Sequence, residues 1–188
     1  GWCPSDNQEM FTLDELTRAF SIDGISKSPS IFDYDKLEWF NGEYIRKMSP
    51  EEFTSYAMPY YKEAVTSREL PWDKLCGILQ QRVTRFTQIP EMIDFFDKLP
   101  EYDAEMFVNK KSKTNLENAP VMLKAVTDRL TALESWDKDS IHDCLINLAQ
   151  ELEVKNGTVM WPARIAAAGK KVTPGGAVEI LEILGRDE

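Results

Sequence analysis

One histidine, His142, and three cysteines, Cys3, Cys76 and Cys144, are all the imidazole and thiol in this 188-residue sequence. The cysteines are odd in number, far apart and without a Cys-x-x-Cys pair. That excludes a structural zinc site, which needs about four clustered soft ligands. Free thiols in a reducing cytosol are expected instead. His142 sits beside Asp143 and Cys144 in a helical stretch, where adjacent residues point about 100° apart, so no Cys–His dyad is expected. A solvent-facing helical histidine is. Long apolar runs are missing too: the uncharged stretch at residues 156–163 is far below the roughly 18 apolar residues of a membrane span.

The first residues, Gly1-Trp2-Cys3-Pro4, contain no basic segment followed by an apolar one, so no secretory signal is expected. They contain no Met either, which reads as a fragment beginning mid-protein. No Gly-rich phosphate loop is present. Gly175-Gly176 after Pro174 either binds one phosphate at a helix start or simply turns the chain. Carboxylates are plentiful, but they fall at cap and solvent-face positions rather than as a catalytic pair. Strand signals are scarce: Asp23-Gly24, Asn41-Gly42 and Asn156-Gly157 lack alternating β-branched flanks.

Charge is abundant, and it is unevenly placed. Against 22 Lys and Arg stand 32 Asp and Glu, a net charge of −10, which as a sum opposes nucleic-acid binding. Yet residues 154–178 contain no acid while carrying Lys155, Arg164, Lys170 and Lys171. Residues 77–90 carry Arg82 and Arg85, and residues 106–116 carry Lys110, Lys111 and Lys113, again without acid. On charge alone, positive patches and ordinary fluctuation are equally good readings.

Helical signals run through the whole chain. Thr12-Leu13-Asp14-Glu15 forms a capping box, with Phe11 and Leu16 placed as a hydrophobic staple. Asp33 caps a stripe of Leu37, Phe40, Tyr44 and Ile45, and Ser49-Pro50-Glu51-Glu52 starts another helix. Pro71 opens a helix through Arg85 with Leu75, Ile78, Leu79 and Val83 on one stripe. Further starts fall at Pro90, Pro120, Asp137 and Pro162, the last stopped by Gly169, and residues 177–184 are stopped by Gly185. The expected fold class is all-α, with soft boundaries near residues 67–71 and 112–120.

Several strings carry a family resemblance. They are Gly1-Trp2-Cys3-Pro4, Phe11-Thr12-Leu13, Ala19-Phe20, Ser26-Lys27-Ser28-Pro29-Ser30-Ile31-Phe32-Asp33, Lys36-Leu37 and the run Trp39 to Arg46. At the far end stand Val154-Lys155-Asn156-Gly157, Trp161-Pro162-Ala163-Arg164-Ile165-Ala166, Thr173-Pro174-Gly175-Gly176 and Glu179 to Gly185. Together they resemble the C-terminal, tRNA-binding portion of bacterial-type glutamyl-tRNA synthetases, class I enzymes. The match runs end to end and is weakest between about residues 98 and 135. The family's ATP-binding signatures belong upstream of Gly1. Lys47-Met48-Ser49 and Ser26-Lys27-Ser28 are not those signatures, and the family's closing helix beyond Glu188 is missing.

The resemblance implies a helical stem-contact segment over residues 1–68 and two small helical anticodon-binding subdomains over residues 69–118 and 119–188. It implies tRNA(Glu) and the upstream catalytic domain of the same polypeptide as partners, no DNA, no membrane, a monomer and a cytoplasmic location. It implies no catalytic or metal residue here and no aminoacylation by this chain alone, ATP and Mg²⁺ being cofactors of the parent ligase. For the tRNA stem it points to Lys36, Trp39, Asn41, Arg46 and Lys47; on periodicity alone Trp39 is core. For the anticodon it points to Arg82, with Arg85 as its i+3 alternative, and to Arg164, Thr173, Pro174 and Gly175. An arginine fork suits a splayed base edge, and backbone groups on a rigid Pro-Gly turn can read such edges. A surface ion pair is the other reading of Arg82, and Trp161 is either a stacking partner or core. The rival function is a stand-alone helical protein-interaction module.

Overall fold

Most of the helices begin where a side chain or a proline deals with backbone N–H groups that have no partner in the first turn. The computed structural model describes residues 1–4, 6, 8–28 and 31–187, so Pro29 and Ser30 of the resemblance strings lie outside the described residues. Among those described, nine α-helices follow in order: α1 (Leu13–Ala19), α2 (Tyr34–Lys47), α3 (Pro50–Ala64), α4 (Trp72–Leu79), α5 (Ile89–Ile93), α6 (Asn118–Thr131), α7 (Lys138–Glu151), α8 (Asn156–Ala168) and α9 (Ala177–Leu184). The Thr12–Glu15 capping box starts α1, and Asp33, Ser49 and Asp137 cap α2, α3 and α7 through backbone N–H groups. Gly169, at a left-handed φ of 60°, ends α8, and Gly185, at φ 90°, ends α9. Extended pairing is confined, among the described residues, to the single bridges Trp2–Ile25 and Asn109–Thr114. The fold is all-α. No described helix is long and apolar enough to cross a membrane.

Two helices depart from the sequence reading. The α8 helix begins at Asn156 rather than at Pro162, which lies buried inside it. An interior proline costs a helix about 3 kcal/mol, and here burial of Val159, Ala163 and Ile165 on the same helix offsets that cost. The α4 helix stops at Leu79, well short of Arg85. The Gln88 side-chain carbonyl accepts from the Thr84 and Arg85 N–H groups at 2.9 and 3.1 Å, a local alternative to helical bonding that leaves Arg85 extended.

Two buried clusters hold the helices. The first joins Ile45, Phe53 and Tyr61 to Leu75, Leu79, Ile89, Ile93 and Phe96, so packing is continuous across residue 68. The second joins Met122, Val126 and Leu130 to Ile141, Leu145, Leu148, Val159 and Ala163. The short helix α9 serves both, with Ile180 and Ile183 in the first cluster and Ala177 and Val178 in the second.

One polar tie gives the fold a pH dependence. Asp97 Oδ1 accepts from the N–H groups of Thr66 and Ser67 at 2.6 and 2.7 Å, fastening the α3–α4 connection to the turn after α5. Those bonds, the Ser67 N–H first, hold the Asp97 carboxyl below its ordinary pKa of 3.8. The unfolded chain therefore takes up the proton first as pH falls. Stability from this tie is fully present above about pH 4 and is lost on acidification through the folded value. Thermal melts of Asp97→Asn are expected to start lower at neutral pH and to fall less steeply below pH 4 than those of the parent. Identical acid limbs would remove Asp97 from the account.

Candidate nucleic-acid interface

The residues singled out by sequence fall into separate places. On α2, Lys36 is ion-paired with Glu9, and its ammonium lies 5.7 Å from the centre of the Phe40 ring. Lys47 reaches the sulfur of Met10 at 3.8 Å, and the Tyr44 hydroxyl donates to the Phe11 carbonyl at 2.7 Å. The segment around residues 9–11 thus lies along the Lys36–Lys47 face. Arg46 pairs with Glu43 one turn earlier on the same helix. Trp39 is 49% exposed and touches Phe40 edge-on, so periodicity misplaced it in the core.

Asn41 faces the other way. Its amide donates to the Thr84 carbonyl, so this residue joins α2 to the turn after α4. Gly42 beside it is buried in mid-helix, and an added Cβ there would lie 3.1 Å from the Thr84 methyl. The close approach permitted at Asn41-Gly42 is therefore to protein. Glu38 accepts from the Thr84 hydroxyl and the Gln88 amide, and Arg85 pairs with it at 3.5 Å. The Thr84 hydroxyl, then the nearby Arg85, keep the Glu38 carboxyl below the usual range. Arg85 is accordingly not the i+3 helical neighbour of Arg82. It belongs, with Asn41, to a network that ties two elements together.

Arg82 and the far loop meet. A cleft of about 380 Å³ is lined by Arg82, Lys74, Gly77 and Gln81 of the α4 region, by Pro174, Gly175 and Gly176, and by Lys138 and Glu179. Residues 74, 77, 78 and 81 share one helical face by their spacing, so the α4 wall is readable in the sequence, whereas the resemblance points to Arg82 alone. Lys138, from the start of α7, arrives by tertiary packing alone. Two of the cations are neutralised: Lys74 pairs with Glu182 at 2.7 Å and Lys138 with Glu179 at 3.1 Å. Burial pushes the Glu179 carboxyl up, but the Lys138 hydrogen bond and backbone N–H groups leave it lowered overall. Arg82 is exposed, and its guanidinium has no hydrogen-bond or ion-pair partner among the described residues.

The loop itself is largely buried. Thr173, Pro174 and Gly175 are all buried, and the Thr173 hydroxyl donates to the Gly175 carbonyl at 2.7 Å. Gly176 is exposed, but its N–H donates to Glu179 Oε2 at 3.0 Å, so that N–H is not free for a phosphate. Only Gly169 and Gly185 have positive φ among the glycines described, so Gly175 does not fill a left-handed turn position. The Pro174 carbonyl and the Gly175 N–H are left without a partner among the described residues.

Arg164 does not line this cleft. Its guanidinium lies 4.6 Å from the Trp161 ring centre and donates to the Lys171 carbonyl at 3.1 Å. Burial lowers its pKa, and its Nε has no partner among the described residues. Trp161 is half-buried and donates to the Met106 carbonyl at 3.0 Å. As for nucleophiles, His142 is exposed and faces Asp143 at 3.2 Å, and burial pushes the Cys144 thiol up, away from the reactive thiolate.

Comparison with known proteins bears on this arrangement. The model of the family described as "Anticodon binding domain" matches residues 39–188. A glutamate–tRNA ligase of Clostridium kluyveri is 48% identical over 188 residues, covering 100% of this chain and 38% of that protein. The glutamate–tRNA ligase of Clostridium novyi is 49% identical over 191 residues, covering 100% of this chain and 39% of that protein. The crystal structure of a glutamate tRNA ligase from Elizabethkingia meningosepticum, in complex with its amino acid, superposes with a TM-score of 0.83 at 26% identity, covering 100% of this chain and 36% of that one. The chain thus spans about 38% of the length of the first of these relatives.

Proposed function

Because the chain belongs to the anticodon binding domain family, we propose that it binds tRNA and reads its anticodon as part of a glutamate–tRNA ligase acting on tRNA(Glu). One observation carries the reading: Arg82 and the Pro174–Gly175 loop, far apart in sequence, line one cleft. Arg82 supplies an unpaired fork for the third anticodon base. The Pro174 carbonyl and Gly175 N–H supply one acceptor and one donor for the edges of the others. Arg164 acts behind the loop by holding the Lys171 carbonyl.

The remaining assignments are part of the same proposal. Residues 1–68 form the stem-contact part, with Trp39 as its exposed aromatic and Lys36, Arg46 and Lys47 as its cations, and residues 69–118 and 119–188 form the two anticodon-binding parts. Leu13, Ile22, Ile31 and Phe32 are exposed apolar side chains, 80%, 78%, 97% and 64% accessible. They suit packing against an upstream catalytic domain, which would hold the ATP and Mg²⁺ assigned to no residue here. The chain is proposed to be monomeric and cytoplasmic.

Titration of the chain with tRNA(Glu), and with a tRNA differing only in its anticodon, tests the reading. We expect binding that weakens steeply with salt and favours tRNA(Glu). No binding at low salt would leave a helical protein-interaction module as the better description, and equal binding of both RNAs would leave tRNA binding without anticodon reading.

A further inference from the structure

Outside the cleft, three lysines are concentrated on one short turn. Lys110, Lys111 and Lys113 stand on a four-residue turn closed by two backbone bonds, Asn109 N–H to the Thr114 carbonyl and Thr114 N–H to the Asn109 carbonyl, both 3.1 Å. The turn is fastened at three further points. The Ser112 N–H donates to Asn109 Oδ1 at 3.0 Å, and the Asn118 amide of α6 donates to the Lys113 carbonyl at 2.9 Å. The hydroxyl of Thr158, a buried residue of α8, donates to the Ser112 carbonyl at 2.7 Å. Gly157 makes the seat close: an added Cβ there would lie 3.2 Å from Ser112 Oγ. Lys155, the N-cap residue of α8, stands two residues before it.

The lysines are solvent-exposed, and none of the four has an acidic partner among the described residues. Elsewhere Lys36, Lys74, Lys124, Lys138 and Lys170 are ion-paired, and the other lysines without an acidic partner among the described residues, Lys27, Lys47, Lys62, Lys98 and Lys171, are scattered along the sequence. On a chain of net charge −10, three unpaired lysines within four consecutive residues are therefore a local concentration of positive charge. Lys113 adds a second argument. It holds a φ of 55°, a left-handed conformation that glycine or asparagine adopts at less cost. The turn would form more easily with either, so its geometry alone does not account for a lysine there.

We propose that the turn at residues 110–113, with Lys155 beside it, binds the phosphodiester backbone of the RNA outside the base-reading cleft. The proposal rests on the tRNA-binding reading above. The backbone of the turn is already fixed, so binding orders only the lysine side chains, and it releases counterions from the phosphates. None of these lysines lines the cleft shared by Arg82 and Pro174, so the phosphates they meet are not at the bases being read. Such contacts position the RNA and carry no sequence information.

The test compares the full chain with Lys110→Gln/Lys111→Gln/Lys113→Gln and with the matching triple arginine variant, using tRNA(Glu) and a tRNA of altered anticodon over a range of salt. The glutamine variant is expected to bind both RNAs about tenfold more weakly at low salt, with an unchanged ratio between them. Its plot of log affinity against log salt should be shallower by about 2, from roughly 0.7 per phosphate contact for three lysines. The arginine variant should keep the parent slope, which shows that charge is responsible. A single-stranded RNA homopolymer should compete for the parent, and polyglutamate should not. Binding by the parent with the slope unchanged in the glutamine variant overturns this proposal alone. So does failure of the arginine variant to keep the slope, or equal competition by polyglutamate. No tRNA binding by the parent overturns the proposed function and this inference with it.

Discussion

Replacing Arg82 with glutamine is expected to cut discrimination at the third anticodon base by about 10- to 100-fold while leaving the melting temperature unchanged. That range corresponds to the roughly 1–3 kcal/mol that a bidentate side chain–base contact contributes. The reasoning starts from the backbone. The Arg82 N–H donates to the Leu79 carbonyl at 2.8 Å, which fixes the root of the side chain just past α4, while the guanidinium is exposed and without a partner among the described residues. The cleft's other cations, Lys74 and Lys138, are engaged by Glu182 and Glu179, so they do not replace it. Glutamine keeps hydrogen-bonding capacity but loses the charge and the five-donor fork. Lysine keeps the charge but not the fork, so Arg82→Lys should retain general RNA affinity and still lose most of the discrimination. Equal ratios for the parent and Arg82→Gln, measured on tRNAs differing only at that base, would move base reading elsewhere.

Gly175→Val is expected to lower stability by about 1–3 kcal/mol, the usual penalty for overpacking, and to reduce tRNA(Glu) affinity by a larger factor than partial unfolding explains. A Cβ at position 175 would lie 3.1 Å from Glu179 Cβ and 3.3 Å from Ile78 Cγ2, both tight contacts within the protein. The cost is steric, because the backbone at Gly175 is not left-handed. Relief requires the loop to move from Ile78, which displaces the Pro174 carbonyl and the Gly175 N–H together. Gly175→Ala should show a smaller loss of both kinds. Melting and binding are measured side by side, with a stem-only RNA lacking the anticodon loop as control. The control RNA should bind the valine variant almost normally at temperatures well below its melting point. Full-length tRNA binding equally to both proteins would make the loop a helix connector only.

Local chemistry made much of the fold legible. Thr12, Asp33, Ser49 and Asp137 act on N–H groups within three residues of themselves, so their sequence neighbours suffice to identify them. Errors arose where distant groups decide. The extent of α8 depends on partners that bury Pro162, and the end of α4 on where the Gln88 side chain turns. Periodicity alone assigns Trp39 to the core, yet among the residues of α2 only Gly42 and Ile45 are buried. The candidate site was legible in the same uneven way. Family strings pointed to Arg82 and to Thr173-Pro174-Gly175, but nothing in a linear pattern shows that they share a cleft. The resemblance grouped Asn41 with the stem contacts and Arg85 with the anticodon, whereas the structure binds both into one α2–α4 tie.

The double service of α9 has a consequence for how this protein comes into being. A chain made from its N-terminus exposes α2 to α5 long before Ile180 and Ile183 exist to complete their cluster. Ile45 and Ile183 are more than a hundred residues apart, so the contact that finishes this half must close a long loop, which slows its formation. Neither half can reach its final packing ahead of the other, since one short helix is inserted between both. The loop at residues 173–176 leads directly into that helix. The cleft wall formed by Pro174, Gly175 and Gly176 is therefore assembled in the closing step of folding, and partly folded chains, however helical, lack the cleft it shares with Arg82.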